Sequence, residues 1–340
     1  MKNIFKNKRF FLICSIVVWI ICFENLISKV AHKVENNAYL TEKYEMFNRI
    51  PRNCNRIFLG DSRTHQGLIP EILDKNSKFF SWNLADPGMQ APFYFLITKR
   101  FLESGRKLDM IIMNISFYQL GSYRWMNDIY LTYYKPNITD WLISLATLNP
   151  NACVWYLKSR IPSWRHYKRL KPMIKYDEKT LKSVVKESAS FYARNNNFST
   201  RGYLSRGEKY LTETHELCFK NQRWWTGIPY FTNNINLYFF RALFLLARFY
   251  NIKIYVYEFP FPDFYQKSNY FTKIHSHYKK LLDSIIDDYY PFVERLPNNN
   301  YYESEYLVDY LHCNQKGAER LSTELATLIN ERENDPLLLK

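Results

Sequence analysis

Apolar residues along this chain come in short runs separated by polar, glycine- or proline-containing breaks, and the runs alternate between strand and helix character. Residues 56–60 form a short apolar strand stopped by Gly60, and a helix-like stretch follows near residues 68–73. Residues 79–84 predict a second strand closed by Asp86, Pro87 and Gly88, residues 91–102 a helix, and residues 108–115 a third strand. Strand and helix alternating at this spacing imply right-handed βαβ units, hence a parallel sheet covered on both faces. The expected fold class is α/β, with three layers in the order α/β/α.

The rhythm breaks between about residues 121 and 230, where Trp125, Trp141, Trp155, Trp164, Trp224 and Trp225 sit among basic residues. This stretch reads as an inserted, mostly helical cap. The α/β pattern resumes with a helix over residues 234–250 and a strand over residues 252–257, ended by the two prolines of residues 259–262. Near the C-terminus Asn314 can cap a helix whose apolar positions Ala318, Leu321, Leu325 and Leu328 recur at helical spacing.

The N-terminus has a different pattern. Lys2, Lys6, Lys8 and Arg9 precede an uncharged run over residues 10–23, and Leu26, Ile27, Val30 and Ala31 could extend it past Glu24. The run alone has the length of a signal-peptide core, whereas the extended run approaches a spanning helix. Cleavage after Ala31 would put Lys29 where a small residue is wanted, so an uncleaved anchor is favoured over a signal segment. The basic residues before the run place the N-terminus in the cytoplasm and the bulk of the chain outside it. The expected organisation is a cytoplasmic tip and anchor over residues 1–31, a polar connector over 32–50, and an α/β domain over 51–335 with its insertion at about 121–230.

Composition narrows the partners. A chain of 340 residues with 47% hydrophobic and 18% aromatic residues, and only 9 glycines, is globular and neither disordered nor fibrous. Its formal charge of +15 suggests an anionic partner. Outside the inner membrane that means phospholipid headgroups or acidic surface polymers, and no nucleic acid. Basic residues gather between Lys158 and Lys186, a run most simply read as a solvated helix face. The six cysteines show no metal-ligand spacing, and buried free thiols are the default for the four outside the apolar run. His275 and His277 alternate on a helix and are assigned to the surface, so neither a metal nor a cofactor is expected.

Two segments carry candidate chemistry. Gly60-Asp61-Ser62 lies where the first strand ends and a helix begins, at the edge where open parallel sheets bind ligands. About 250 residues later comes Asp309-Tyr310-Leu311-His312, whose spacing on a turn can bring carboxylate and imidazole together. A serine hydroxyl is a poor nucleophile at neutral pH and needs such a histidine, oriented by such a carboxylate, to take its proton. Each segment alone is also an ordinary turn.

The two together, in this order, resemble the SGNH/GDSL hydrolases, a superfamily with a flavodoxin-like fold. In that resemblance Ser62, His312 and Asp309 form the catalytic triad, and Ser62 and Gly88 donate backbone N–H groups to an oxyanion hole. The segment from Asn83 to Gly88 matches the family's second block. The third block departs: the usual Gly-x-Asn-Asp is replaced by residues 113–118, with Asn114 as the candidate for its asparagine. Gly-Asp-Ser-Arg-Thr after a single N-terminal anchor is similar to the membrane-associated branch that includes the teichoic acid D-alanylation and alginate O-acetylation proteins. The resemblance implies a serine esterase or O-acyltransferase on acylated cell-envelope glycan or another anionic surface polymer, with a membrane-bound acyltransferase as a further partner. Arg63, beside the nucleophile, is a candidate for binding an anionic substrate group, or else a helix-surface residue. The alternative reading is a catalytically weak or inactive scaffold that keeps this fold to bind envelope polymer or a membrane acyltransferase.

Overall fold

The computed structural model describes residues 11–26, 49–120, 161, 200–201, 203–212, 217 and 235–334. The chain divides into two compact units, residues 46–126 with 194–340, and residues 1–45 with 127–193. Most of the predicted insertion, with its basic run, lies outside the described residues.

In the second of these units, residues 11–26 are helical, and their apolar side chains, Phe11, Ile13, Val18 and Trp19 among them, are exposed. Among the described residues no helix is long and apolar enough to cross a membrane. The residues that would lengthen this one, 27–31, lie outside the described residues.

The larger unit is built on five parallel strands: β1 (Arg56–Leu59), β2 (Ser81–Asn83), β3 (Met110–Asn114), β4 (Lys253–Tyr257) and β5 (Val293–Arg295). Their order across the sheet is β2-β1-β3-β4-β5. Every residue of β1, β2 and β3 is buried, so both sheet faces are covered, as a parallel sheet requires. The helices that cover it fall into two packed groups. Helices α3 (Ala91–Glu103) and α4 (Ile235–Tyr250) pack together. The C-terminal helix α6 (Gln315–Glu333) packs on α1 (Ser62–Gly67) and α2 (Pro70–Asp74). A further helix, α5 (Asn269–Ile286), runs between β4 and β5.

Buried polar side chains set the register of these pieces. Arg56, 1% exposed, donates from Nε to Ser81 Oγ at 2.5 Å and from Nη2 to Leu73 O and Asp74 Oδ1, both at 2.7 Å. One guanidinium therefore joins β1, β2 and α2. Ser322 of α6 fills the break between α1 and α2: its Oγ accepts from Ile69 N at 2.9 Å and donates to Gly67 O at 3.3 Å. Asn314 caps α6 as the sequence predicts, accepting from Gly317 N at 3.0 Å.

One sequence expectation is corrected in this unit. His275 is not on the surface: it is 5% exposed, and its Nε2 lies 2.7 Å from Glu258 Oε2, with Arg295 Nη2 2.5 Å from the other carboxylate oxygen. A buried carboxylate needs such partners, and these tie α5 to the exits of β4 and β5. Part of the stretch predicted as insertion is described within this unit. Residues 200–201 and 203–212 run along the sheet unit as a strap, with Asn83 N donating to Arg201 O at 2.9 Å and Leu204 N to His65 O at 3.0 Å.

Candidate active site

The strand order 2-1-3-4-5 places the reversal of winding between β1 and β3, and in such sheets the crevice at the carboxyl ends of those two strands is where ligands bind. The chain leaves β1 through Gly60 and enters α1 at Ser62. This turn is tight, since a Cβ on Gly60 would collide with Oγ1 of Thr64. Asp61 caps α1 by accepting from Arg63 N at 2.8 Å. Ser62 is then the first residue of the helix, partly exposed, with a backbone N–H that has no intrahelical acceptor.

The second half of the site is a small hairpin. Leu307–Asp309 pairs antiparallel with His312–Cys313, and the register sets Asp309 directly opposite His312. The hairpin is held at the base of α6. Asn314 Nδ2 donates to Glu305 O at 2.6 Å, and Asn314 N to Tyr306 O at 3.1 Å. Gly317 lets that carbonyl approach, because a Cβ there would collide with Tyr306 O.

Because α6 also packs on α1, the hairpin meets the nucleophile turn. Ser62 Oγ lies 2.8 Å from His312 Nε2, and His312 Nδ1 lies 2.9 Å from each oxygen of Asp309. The array is continuous: hydroxyl, imidazole, carboxylate. Leu311 N also donates to Asp309 Oδ1 at 2.7 Å. Burial pushes the Asp309 carboxyl up, but the hydrogen bond and charge of His312, the Leu311 N–H and the Arg206 guanidinium outweigh it. The net shift is below the ordinary carboxylate value, so Asp309 is an anion at neutral pH. Cys313 is fully buried and its thiol is pushed up by that burial, which makes it a packing residue beside the site.

The remaining sequence candidates divide. Gly88 is an exposed turn residue with φ +73°, on a loop that follows β2. That loop runs beside the nucleophile turn, with Leu84 N donating to Phe58 O at 2.9 Å and Asp86 N to Gly60 O at 3.1 Å. Gln119 steadies it, donating from Nε2 to Met89 O at 2.7 Å while its Oε1 accepts from Ser116 N at 2.7 Å. Asn114 is the last residue of β3 and is 2% exposed; its Nδ2 donates to Tyr257 O at 3.1 Å, which spans the β3–β4 edge. Its amide helps join the two strands, and its place in an oxyanion hole stays an expectation of the resemblance. Asn83 is structural, donating from Nδ2 to both Thr64 O and Leu68 O at 3.0 Å.

Arg63 is neither on the helix surface nor open to a substrate. It is 2% exposed, with Nε donating to Asp61 Oδ2 at 3.3 Å and Nη2 3.2 Å from the same oxygen. Sequence reasoning missed Arg206, whose Nη2 is 3.9 Å from Asp309 Oδ2. It lies in the stretch read as a basic insertion, where one arginine among many carries no distinguishing signal. Among the described residues no group of three or more His, Cys, Asp or Glu side chains could hold a metal.

No family model matches the chain, and no curated protein matches it. A solved structure from Streptococcus pneumonia, provisionally named a platelet activating factor, is similar at 14% identity and a TM-score of 0.37, over 92% of this chain and 98% of that one. A likeness at that level carries no argument about activity, and the chemistry rests on the side chains themselves.

Proposed function

We propose that this chain is a serine-dependent esterase or O-acyltransferase of the SGNH type. The observation that carries the reading is the unbroken array from Ser62 Oγ through His312 to Asp309, with spacings of 2.8 and 2.9 Å. Ser62 Oγ attacks the carbonyl carbon of an ester as His312 Nε2 takes the hydroxyl proton, and Asp309 stabilises the resulting imidazolium. The tetrahedral oxyanion is received by the N–H of Ser62 and, in this reading, that of Gly88. Collapse breaks the bond to the leaving alcohol, which takes the proton from His312 and leaves an acyl-serine. Water or a sugar hydroxyl then gives its proton to His312 and accepts the acyl group, restoring Ser62.

The substrate in this proposal is an O-acyl, most simply O-acetyl, group on cell-envelope glycan, and no cofactor is needed. The apolar run over residues 10–23, extendable past Glu24, with its basic leader supports an anchor that leaves the catalytic unit on the extracytoplasmic side. The charge of +15 supports an anionic polymer or lipid headgroups nearby, with a membrane-bound acyltransferase as donor where transfer replaces hydrolysis.

The test is covalent labelling. A fluorophosphonate probe is expected to mark the full-length chain at Ser62, with Ser62→Ala abolishing both labelling and release of acetate from an acetylated glycan. Acetate release undiminished by that substitution rejects the mechanism. A second reading, a binding scaffold, is favoured by one observation: the Asn114 amide that would complete the oxyanion hole is engaged with Tyr257 O. A scaffold predicts no labelling at Ser62 in the wild-type chain.

A further inference from the structure

We propose that Arg206 is a positioning residue that staples the helix carrying Ser62 to the hairpin carrying Asp309 and His312. The claim about catalysis rests on the function proposed above; the claim about geometry does not. The guanidinium reaches both halves of the site at once. Its Nε donates to Gln66 Oε1 at 2.8 Å, and Gln66 sits on α1 one turn beyond Ser62 and is 5% exposed. Its Nη2 stands 3.9 Å from Asp309 Oδ2, at the outer edge of a direct ion pair. A planar fork with several donors can serve two acceptors in fixed relative positions, which a lysine cannot do.

Arg206 is also held from behind. Its strap is bonded on both sides of it, by Leu204 N to His65 O at 3.0 Å and by Gln315 N to Gly207 O at 2.8 Å. Further along, Lys209 O accepts from Asn314 Nδ2 at 3.0 Å. The strap is thus anchored to α1 and to the start of α6, the two elements whose separation decides whether serine and histidine meet. A surface arginine with no role would not need a backbone pinned to both.

The groups facing Asp309 are His312 and the Cys313 thiol in its own hairpin, and Arg206 from the strap. Arg206 is one of the groups that hold the Asp309 carboxyl below its ordinary value, so removing the cation makes Asp309 easier to protonate and activity is lost earlier as pH falls.

Full-length wild type, Arg206→Gln and Arg206→Lys are compared in hydrolysis of p-nitrophenyl acetate, with kcat and KM resolved across the acid range. The expected result for Arg206→Gln is a loss of about 10- to 100-fold in kcat with KM nearly unchanged, because the acid–base pair is displaced while the ester site is intact. Its acid limb moves to higher pH. Arg206→Lys restores the limb by restoring the charge, but not the full kcat. The titration of the pair is followed in parallel by NMR of the His312 imidazole, which needs no turnover. A titration and kcat unchanged in Arg206→Gln overturn the staple. A titration that moves in Arg206→Gln while the wild-type chain shows neither ester turnover nor fluorophosphonate labelling at Ser62 keeps the staple and rejects the proposed function. If Arg206→Gln does not fold, the kcat of Arg206→Lys alone decides, a wild-type value refuting the two-acceptor role.

Discussion

Replacing Asn83 should loosen the nucleophile helix without touching any reacting group. Its side chain makes three buried hydrogen bonds, from Nδ2 to Thr64 O and Leu68 O, both at 3.0 Å, and to Oδ1 from Ala85 N at 3.1 Å. Thr64 O keeps a second donor in Leu68 N, at 3.1 Å, so Asn83→Ala chiefly strips Leu68 O of its amide donor. At about 1–3 kcal/mol for a buried group left short, the loss is roughly 1–3 kcal/mol. That is a sizeable part of an ordinary domain's stability and corresponds to a fall in melting temperature of about 2–12 °C. Asn83→Asp is the sharper test. It keeps an acceptor for Ala85 N, but an ionised carboxylate faces two carbonyl oxygens and has nothing to donate. Its carboxyl is therefore held protonated by the fold, its pKa raised, so the variant is best tolerated at low pH and loses stability as pH climbs through that value. Calorimetric melting at acid and alkaline pH reads both effects. Asn83→Asp melting with the wild type at alkaline pH would refute the assignment of this amide as the clasp of α1.

Gly60→Ala is expected to cost about 1–3 kcal/mol by overpacking against Thr64 and to slow fluorophosphonate labelling of Ser62, since α1 must shift to clear the new methyl; labelling at the wild-type rate counts against the tight turn. Asp309→Asn should lower kcat by about 10⁴-fold through the wrong imidazole tautomer while the fold is kept, as judged by circular dichroism. In the wild-type chain the lowered Asp309 pKa keeps that carboxylate ionised well into acid, so the stability it contributes is present above the ordinary carboxylate pKa and lost as pH falls through the lowered value; melting of wild type against Asp309→Asn across the acid range checks this.

The sheet's centre was readable because its strands are buried on both faces and their residues are therefore mostly apolar, with polar side chains only at the ends of the runs. Residues 56–60, 108–115 and 252–257 were each predicted as strands, and each contains the observed one, shortened by a residue or two at the ends. The edge strand β5 was not predicted: in Val293, Glu294 and Arg295 only one residue is apolar, and the other two serve ion pairs with Lys253 and Glu258. Pairing of that kind is decided by tertiary partners and leaves no local period. The same holds for His275 and Glu258, which are 17 residues apart and meet only because α5 folds back over the exit of β4. Ser62, Asp309 and His312 could be named because each stands in a short segment with its own local logic, a strand-ending turn or a hairpin. Arg206 had none. The roles of Asn83 and Asn114 were legible only as motif positions, and the carbonyls they serve come from other elements.

How residues 62 and 312 come together, 250 positions apart, follows from topology more than from any attraction between them. In this sheet order β1 is flanked by β2 and β3, so its carboxyl end opens at the point where the winding reverses. Helix α1 starts there and is short, ending at Gly67, which leaves α2 and the C-terminal helix to cover that side of the sheet. Gly67 permits the close packing: a Cβ on it would stand 3.2 Å from the Phe259 ring and 3.4 Å from Leu321 of α6. Once α6 is seated by Leu321, Leu325 and Ser322, its N-terminus has one place to be, and the hairpin bonded to Asn314 is delivered to the end of β1. The ion pairs and hydrogen bonds at the site then need only select a rotamer. On this account the packing of α6 is a prior condition for catalysis, and substitutions along its buried face act on the distance between hydroxyl and imidazole before they act on any catalytic group.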